Sequence, residues 1–468
     1  MKINTILRKL LLKTAIINHK VTGLAINSND CKKGVIFFLF ESNKKYLVEA
    51  IKNGAKTVLT TDKNYTYNGV NFVKVCDVYK ALSDIAKIYY NDVSKKLDVI
   101  GFTGTNGKTT TSTIGYNFFN YIGRKSMLIG SNGIYYDNNI IRTNNTTPDI
   151  LTIYKHLDIA FKKKIKYVFM ELSSIGIEEL RVAGINYKIV VFTNLTQDHL
   201  DYHKTLENYK NSKLKVFLSL PDSSYSIINI DDSNAIDFIR NNKSNIITYG
   251  LKEGIVKADF VQINKENSIF IVDGLKFTTK LLGEFNVYNC LSILALLKIY
   301  KIDYKKYMNF LVTFEGVAGR MNKYVYENKT IIIDYAHTYQ GFVSAIDYVC
   351  SQYKNPCIII GCGGNREKEK RFMLGKYLNT INATLCITTD NPRYEKPLDI
   401  IKDIANELDK DAFIFIDRKQ AIKRMLYKSK NNDVILIIGK GNEDYMDING
   451  VKHHYSDLET INEYYNVS

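Results

Sequence analysis

Nothing in this chain constrains the fold more than residues 101–110, Gly101-Phe102-Thr103-Gly104-Thr105-Asn106-Gly107-Lys108-Thr109-Thr110. They follow the apolar run Leu97-Asp98-Val99-Ile100 and precede a segment, 111–121, that can open a helix. Strand, glycine-rich turn and helix N-terminus in that order make a phosphate cradle. Glycines let backbone N–H groups close on phosphate oxygens, Lys108 brings a point charge, and Thr109 offers Mg²⁺ a hydroxyl. The usual spacing fails, because Phe102 stands five positions before Gly107 where that spacing puts glycine. The loop therefore specifies a nucleoside triphosphate and leaves its use open.

At 468 residues the chain is too long for one hydrophobic core and is expected to divide into about three domains. Its 45% hydrophobic and 24% charged residues are globular proportions. No run approaches the ~20 apolar residues of a membrane helix, so no membrane insertion is expected. Lysines interrupt the apolar residues of the N-terminal segment, which argues against a secretory signal. The seven cysteines are scattered, odd in number and without metal spacing, so reduced thiols and a cytoplasmic location are expected. The net charge of +16 raises the question of nucleic acid. Yet only 11 of the 64 basic residues are arginine, and Asn, Ile and Tyr are also abundant. The charge reads as a bias spread over the surface, and no nucleic-acid partner is expected. The run Lys162-Lys163-Lys164 reads as the solvated end of a helix. Where lysine meets most cationic needs, arginine marks places that need a planar, bidentate donor. Arg181, Arg320, Arg366, Arg371, Arg393 and Arg418 all fall in or beside the motifs below.

Strand-like and helix-like segments alternate, which predicts an α/β architecture. Apolar runs at 35–40, 57–60 and 70–75 precede the phosphate loop. Strands near 167–171, 189–194 and 226–230 follow it. A restart at 330–334 leads to runs at 356–361, 384–389, 413–417 and 434–439, which predicts a doubly wound parallel sheet. Domain limits are placed at 1–93, 94–314 and 315–468.

Two polar clusters end strands in the phosphate-loop region. In Glu171-Leu172-Ser173-Ser174 a carboxylate emerges where a Mg²⁺ ligand is expected. In Asn194-Leu195-Thr196-Gln197-Asp198-His199-Leu200-Asp201-Tyr202-His203 two of the chain's seven histidines crowd beside two aspartates. These residues and several others, in order, resemble the Mur ligases, ATP-dependent amide-forming enzymes that build the peptide stem of bacterial peptidoglycan. The others are Asn145-Thr146-Thr147-Pro148-Asp149, Phe285-Asn286-Val287-Tyr288-Asn289, Gly319-Arg320-Met321 and Asp334-Tyr335-Ala336-His337-Thr338. Further along come Gly361-Cys362-Gly363-Gly364-Asn365-Arg366, Asp390-Asn391-Pro392-Arg393 and Gly439-Lys440-Gly441-Asn442-Glu443. The family's shortened G-T-N-G-K-T loop accounts for the failed spacing.

The resemblance implies an N-terminal α/β domain for a UDP-sugar, a central P-loop ATPase domain with a parallel sheet, and a C-terminal Rossmann-like domain for an amino acid. It implies that Gly104, Thr105, Asn106, Gly107, Lys108, Thr109 and Thr110 hold ATP, with Asn286, Arg320 and Asp334 on the nucleotide. It implies catalytic roles for Lys108, Glu171, His199 and Lys213. Thr109, Glu171, His199 and a CO₂-derived carbamate on Lys213 would hold Mg²⁺. Ser28, Thr146, Thr147, Ser173, Glu179 and Arg181 match positions for the UDP-MurNAc-dipeptide, glutamine being usual at 179. Arg366, Asp390, Asn391, Pro392, Arg393, Gly439 and Glu443 match positions for the incoming amino acid. The Asp-Asn-Pro-Arg motif implies meso-diaminopimelate, whose distal carboxylate Arg393 can grip with a bidentate fork. A monomer acting on small molecules is expected, with the C-terminal domain closing on the phosphate loop.

The chain departs from the family pattern at Ile175 and Asn442, where histidine is usual, and at Asn322 and Thr338-Tyr339. It departs again at Asn27-Ser28-Asn29, in the region expected to bind uridine. L-lysine or lanthionine as the amino acid, a paralogous ligase acting on another carboxylate, and a nucleotide-binding scaffold stay open as alternatives.

Overall fold

A computed structural model describes residues 1–12, 16–62, 64–430 and 433–467. Three sheets with parallel cores are strung along the chain, which is the mixed α/β architecture the alternation predicts. Strands Leu24–Ala25, Val35–Phe38, Ala55–Thr60 and Asn71–Lys74 form the first, in that order. The second has nine strands centred on Asp98–Thr103, flanked by Ile189–Phe192 on one side and Tyr167–Glu171 on the other. The third has six, with Lys329–Asp334, Val434–Ile438, Cys357–Ile360 and Thr384–Thr388 adjacent and parallel. These central strands are buried beyond their first one or two residues, as expected of strands covered by helices on both faces.

Position 93 opens the short turn Val93–Lys96 before the second sheet, and position 314 follows helix Tyr304–Thr313. The first and second sheets nevertheless share one apolar core running from Ile3 to Phe238. Helix Val78–Tyr89 carries the contact: Ser83 Oγ donates to the Ala183 carbonyl at 2.9 Å, and Tyr90 stacks on Tyr154 at 6.0 Å.

Strand–helix alternation leaves out the antiparallel hairpins. The pairs Gly133–Tyr136 with Asn139–Ile141, Ser268–Val272 with Leu275–Thr279, Asn322–Tyr326 with Lys329–Asp334, and Tyr445–Ile448 with Val451–His454 are each joined by two residues. Both linking residues have positive φ in every case: Asp137-Asn138, Asp273-Gly274, Glu327-Asn328 and Asn449-Gly450. That is the backbone of a type I′ turn, whose twist matches the strands it joins. The basic run at 162–164 ends helix Ile150–Lys162, with Lys163 paired to Asp137 at 3.0 Å.

The carboxyl ends of the second and third sheets face each other. Asn106 Nδ2 donates to Thr338 Oγ1 at 3.1 Å, Arg366 pairs with Asp201 at 2.8 Å, and Arg142 with Asp444 at 3.0 Å. Ligands of open α/β sheets bind at such ends, so the fold directs two binding edges into one cleft.

Candidate active site

The phosphate loop leaves strand Asp98–Thr103 and enters helix Lys108–Tyr121. Gly104 and Gly107 have φ of 148° and 88°. A Cβ on Gly104 would lie 1.9 Å from Thr193 Oγ1, and one on Gly107 2.6 Å from Asn289 Oδ1. The loop is stitched to the segment after the neighbouring strand. The Thr105 and Asn106 amides donate to Asn194 O at 2.8 Å and Asn194 Oδ1 at 2.9 Å, and Thr193 Oγ1 donates to the Asn106 carbonyl at 2.6 Å. Its amides are thus set before any ligand arrives. Lys108 Nζ donates to the Gly104 and Thr105 carbonyls at 2.9 and 2.8 Å. Burial lowers its pKa, against the pull of Glu171 and Asp198. Thr110, the third residue of the helix, is buried.

Glu171 ends its strand 1% exposed. Its Oε2 accepts from the Thr109 hydroxyl at 2.9 Å and the Ser131 hydroxyl at 3.1 Å, and its Oε1 from the Ser131 amide at 2.8 Å. A Cβ at position 130 would lie 2.2 Å from Glu171 Oε1, so Gly130 admits the carboxylate. Ser131 Oγ also lies 3.0 Å from Thr146 Oγ1, whose hydroxyl can donate to it. Thr147 Oγ1 bridges the Glu171 carbonyl and the Ser173 amide at 2.9 Å each, and Ser173 caps the helix that follows.

His199 holds a left-handed φ of 55°, an uncommon conformation for a non-glycine residue and one that clusters at functional sites. Its Nε2 is 3.3 Å from Asp198 Oδ2. Burial holds the imidazole down to about 4, against Asp198 and with His337 and Lys213. It is therefore neutral at ordinary pH and has a lone pair to give. Burial alone would raise Asp198, but His199, His337, Lys370 and Lys108 outweigh it and hold the carboxyl low. Lys213 is 1% exposed, and its Nζ donates to the Gly104 carbonyl at 2.9 Å, 4.3 Å from the Tyr209 ring centroid. Burial, followed by Lys108, pushes its amine well below the ordinary lysine range.

Across the cleft, Arg320 lies 4.4 Å over the Tyr335 ring and reaches Thr109 Oγ1 at 3.5 Å. Asp334 accepts from the Met321 and Ala336 amides at 2.8 Å each, bracing the corner that carries Arg320. Burial raises its pKa, against Arg320 and these amides. Asn286 is buried: it donates to the Leu282 carbonyl at 2.8 Å and accepts from Asn289, whose own oxygen holds Thr111 in the loop helix.

The amino-acid residues gather at the end of the third sheet. Asn391 Nδ2 donates to Glu443 Oε2 at 2.8 Å, Tyr335 to Glu443 Oε1 at 3.1 Å, and buried Lys440 to both Asn391 and Glu443 at 3.0 and 3.1 Å. Gly439 has φ 122°, and a Cβ there would meet Asp390 Oδ2 at 2.7 Å. Gly364 lies against the Pro392 carbonyl, 1.9 Å from where its Cβ would be. Arg393 has φ 51°, donates to the Gly364 carbonyl at 2.5 Å and lies 4.0 Å from Asp447. It does not pair with its neighbour Glu395, which is taken by Arg371. Arg366 is held by Asp201 of the facing sheet.

Ser28, Glu179 and Arg181 line a separate cleft of about 790 Å³ between the first and second sheets. Ser28 donates to Glu49 Oε2 at 3.1 Å, and Arg181 is bound by Glu179 and by the Thr147 carbonyl at 3.0 Å. A smaller cavity, about 200 Å³, lies between the second and third sheets, where His199, Arg366, Glu367 and Lys370 meet.

Several site residues escaped sequence reasoning: Ser131, Thr193, Asn194 in its loop-bracing role, Tyr335, Lys440, Asp447 and Glu49. Ser131, Thr193 and Asn194 directly follow buried strands, a position that could have flagged them. Glu49 carries no such signal.

Two family models match the chain, the Mur ligase middle domain over residues 102–297 and the Mur ligase glutamate ligase domain over 319–441. Among curated relatives, the UDP-N-acetylmuramoyl-L-alanyl-D-glutamate–2,6-diaminopimelate ligase of Bacteroides fragilis is 35% identical, covering 96% of each chain. That of Clostridium botulinum is 34% identical over 99% of each. A solved structure of a ligase with the same description superposes with a TM-score of 0.68 at 27% identity, over 96% of this chain and 95% of the other. The MurF ligase of Thermotoga maritima in complex with ADP shares the fold, with a TM-score of 0.64 at 18% identity over 89% and 93%. With both family models and full-length relatives in agreement, the chain belongs to the Mur ligase family of ATP-dependent enzymes.

Proposed function

We propose that this chain adds meso-diaminopimelate to UDP-N-acetylmuramoyl-L-alanyl-D-glutamate at the expense of ATP, as a cytoplasmic monomer in peptidoglycan precursor synthesis. One observation carries the reading. The loop with Lys108 and Thr109 meets the end of the third sheet through Arg320 and Thr338, and the same sheet carries Arg393, Asn391 and Glu443, in a chain whose 34–35% identical relatives bear the name of that activity.

Among the described residues no group of three His, Cys, Asp or Glu side chains is gathered to hold a metal alone. That suits Mg²⁺, which takes one or two carboxylates and completes its shell with waters and substrate phosphates. Thr109 would hold one Mg²⁺ on the triphosphate, and Glu171, His199 and a carbamate on Lys213 a second, neutralising charge on the triphosphate and the acyl phosphate. The depressed pKa of Lys213 supports the carbamate, since only a neutral amine adds CO₂, losing a proton to leave an anion. Enzyme equilibrated with ¹³C-bicarbonate should show a carbamate carbon resonance that Lys213→Met lacks; an unchanged spectrum would remove Lys213 from the ligand set.

The chemistry asked of the protein is positioning and charge neutralisation. The loop amides and Lys108 hold the γ-phosphoryl group while the substrate's terminal carboxylate displaces ADP to give an acyl phosphate. The incoming amine, freed of its proton, adds to the acyl carbon, and phosphate leaves with the bonding electrons. Arg320 lies beside Thr109, where it can neutralise charge as phosphate transfers. Glu443 suits the ammonium of the amino acid's far end, and Arg393 its carboxylate. Phosphate release should require ATP, the UDP-dipeptide and meso-diaminopimelate together. A higher kcat/KM with L-lysine would overturn the choice of amino acid, and release independent of the UDP-dipeptide would point to another carboxylate.

A further inference from the structure

Two arginines, Arg371 and Arg418, are the largest fully buried side chains of the described residues, and neither touches the reaction as drawn above. Arg418 is matched by Asp457 at 2.8 Å through two parallel bonds at the N-termini of two helices, and it also donates to the Ile438 and Thr389 carbonyls at 3.0 and 3.4 Å, where two central strands end. Arg371 is different. Its Nη1 and Nη2 donate to the two oxygens of Glu395 at 2.8 and 3.0 Å, Nη1 also to Asp403 at 2.9 Å, and Nη2 to the Gly363 carbonyl at 3.1 Å. Its Nε is buried with no partner. A buried ion pair with an unmatched donor is weak support for stability, because desolvation offsets the attraction and apolar side chains fill such a space as well. Its value lies in what it joins.

Glu395 also accepts from the Asn365 amide, and Asn365 Oδ1 accepts from the Tyr394 amide at 2.9 Å. The Gly364 amide donates to the Asn391 carbonyl at 2.8 Å. These bonds run between two loops, 363–366 and 391–394, and each loop presents one arginine of the amino-acid site. Both contain a non-glycine residue in the left-handed region, Asn365 at φ 49° and Arg393 at φ 51°, a conformation that persists where the surroundings over-determine it.

We propose that Arg371 and Glu395 form a buried clamp that fixes the spacing between the loops bearing Arg366 and Arg393, and so sets the length of amino acid the site accepts. The inference deepens the reading of that site given above and rests on it. Arg371 and Glu395 are positioning residues: the first organises the second, and the second holds both loops. Asp403 shares the Arg371 guanidinium but bonds to neither loop, which makes it the internal control.

The test compares Glu395→Gln with Asp403→Asn in the full chain, with Arg371→Lys as a second route that keeps the charge and loses the two-pronged bond. Loss of a charge-assisted bond should raise KM for meso-diaminopimelate about tenfold or more in Glu395→Gln and Arg371→Lys, with KM for ATP and the UDP-dipeptide unchanged. Asp403→Asn should lower Tm and leave all three KM values alone. Amide exchange should quicken at 363–366 and 391–394 in the first two variants only. Equal effects from Glu395→Gln and Asp403→Asn, or no selective change with Glu395→Gln, would overturn the clamp. If the parent enzyme releases no phosphate with meso-diaminopimelate, the ligase reading fails, and the exchange comparison still decides the clamp on its own.

Discussion

Glu179 and Arg181 meet at the edge of the cleft between the first two sheets, where the UDP-dipeptide is expected. Arg181 turns both Nε and Nη2 onto one oxygen of Glu179, and its Nη1 onto the Thr147 carbonyl. The guanidinium fork is therefore occupied by a carboxylate of the chain itself. An anionic substrate group must displace Glu179 or share the arginine with it, and Glu49 and Asp149 line the same cleft. Glutamine at 179 would keep the shape and remove the charge. Glu179→Gln should therefore lower KM for the UDP-dipeptide about two- to fivefold, the range of a partly exposed ion pair, and leave kcat and KM for ATP alone. A raised KM in steady-state kinetics would mean that Glu179 binds substrate directly.

Among the elements, the phosphate loop was the most legible and the hairpins the least. Strand, loop and helix at 98–121 follow from local composition, because the apolar run, the glycines and Lys108 each act within a few residues of one another. The strand ends at 171 and 334 were readable for the same reason. Expected strands at 189–194 and 434–439 overran by one or two residues, since their last positions turn away from the ladder to carry Asn194 and Gly439. Hairpin Tyr445–Ile448 with Val451–His454 has short, mixed strands, yet Asn449-Gly450 is a strong turn signal that alternation alone passes over. This hairpin matters to the site: Arg393 donates its amide to Asp447 and accepts from the Asn449 amide. What no local pattern could show is partnership across the chain, such as Asp201 with Arg366 or Asn289 beneath Gly107. Gly107→Ala tests the last of these. A methyl at φ 88° costs about 1–2 kcal/mol in backbone strain and pushes on Asn289, which braces the loop helix through Thr111. The variant should fold, and KM for ATP should rise about tenfold or more for a misplaced cradle; unchanged ATP kinetics would show that the loop absorbs the methyl.

At the scale of the whole molecule, closure and burial set how the chain responds to pH. Bringing the two sheet edges together encloses His199 and His337, while His156 and His203 are buried elsewhere in the chain. Burial is the leading cause that holds all four below the ordinary histidine value of 6.5. Folding thus favours their neutral forms. Below about pH 6.5 the unfolded chain takes up protons that the folded chain refuses, so stability present above that pH is lost as pH falls toward the folded values. Asp334, held above the usual carboxylate range, works in the opposite sense, and Asp198 and Glu395, held below theirs, lose their contribution only at lower pH. The histidines are the groups whose loss begins just below 6.5, whereas the buried amines of Lys108 and Lys213, also held down by burial, begin to lose their contribution at much higher pH. His156 isolates the effect, because it sits in helix Ile150–Lys162, outside the set assigned to the reaction, with Nδ1 buried and unpartnered. His156→Leu removes that unmatched polar atom and fills a similar volume. Tm at neutral pH should be equal or higher, and the fall in Tm between about pH 6.5 and 5 should shrink, since one of the four proton-refusing histidines is gone. An unchanged slope in thermal melts across that range would show that His156 does not contribute to the acid sensitivity, and would leave it to the other buried groups.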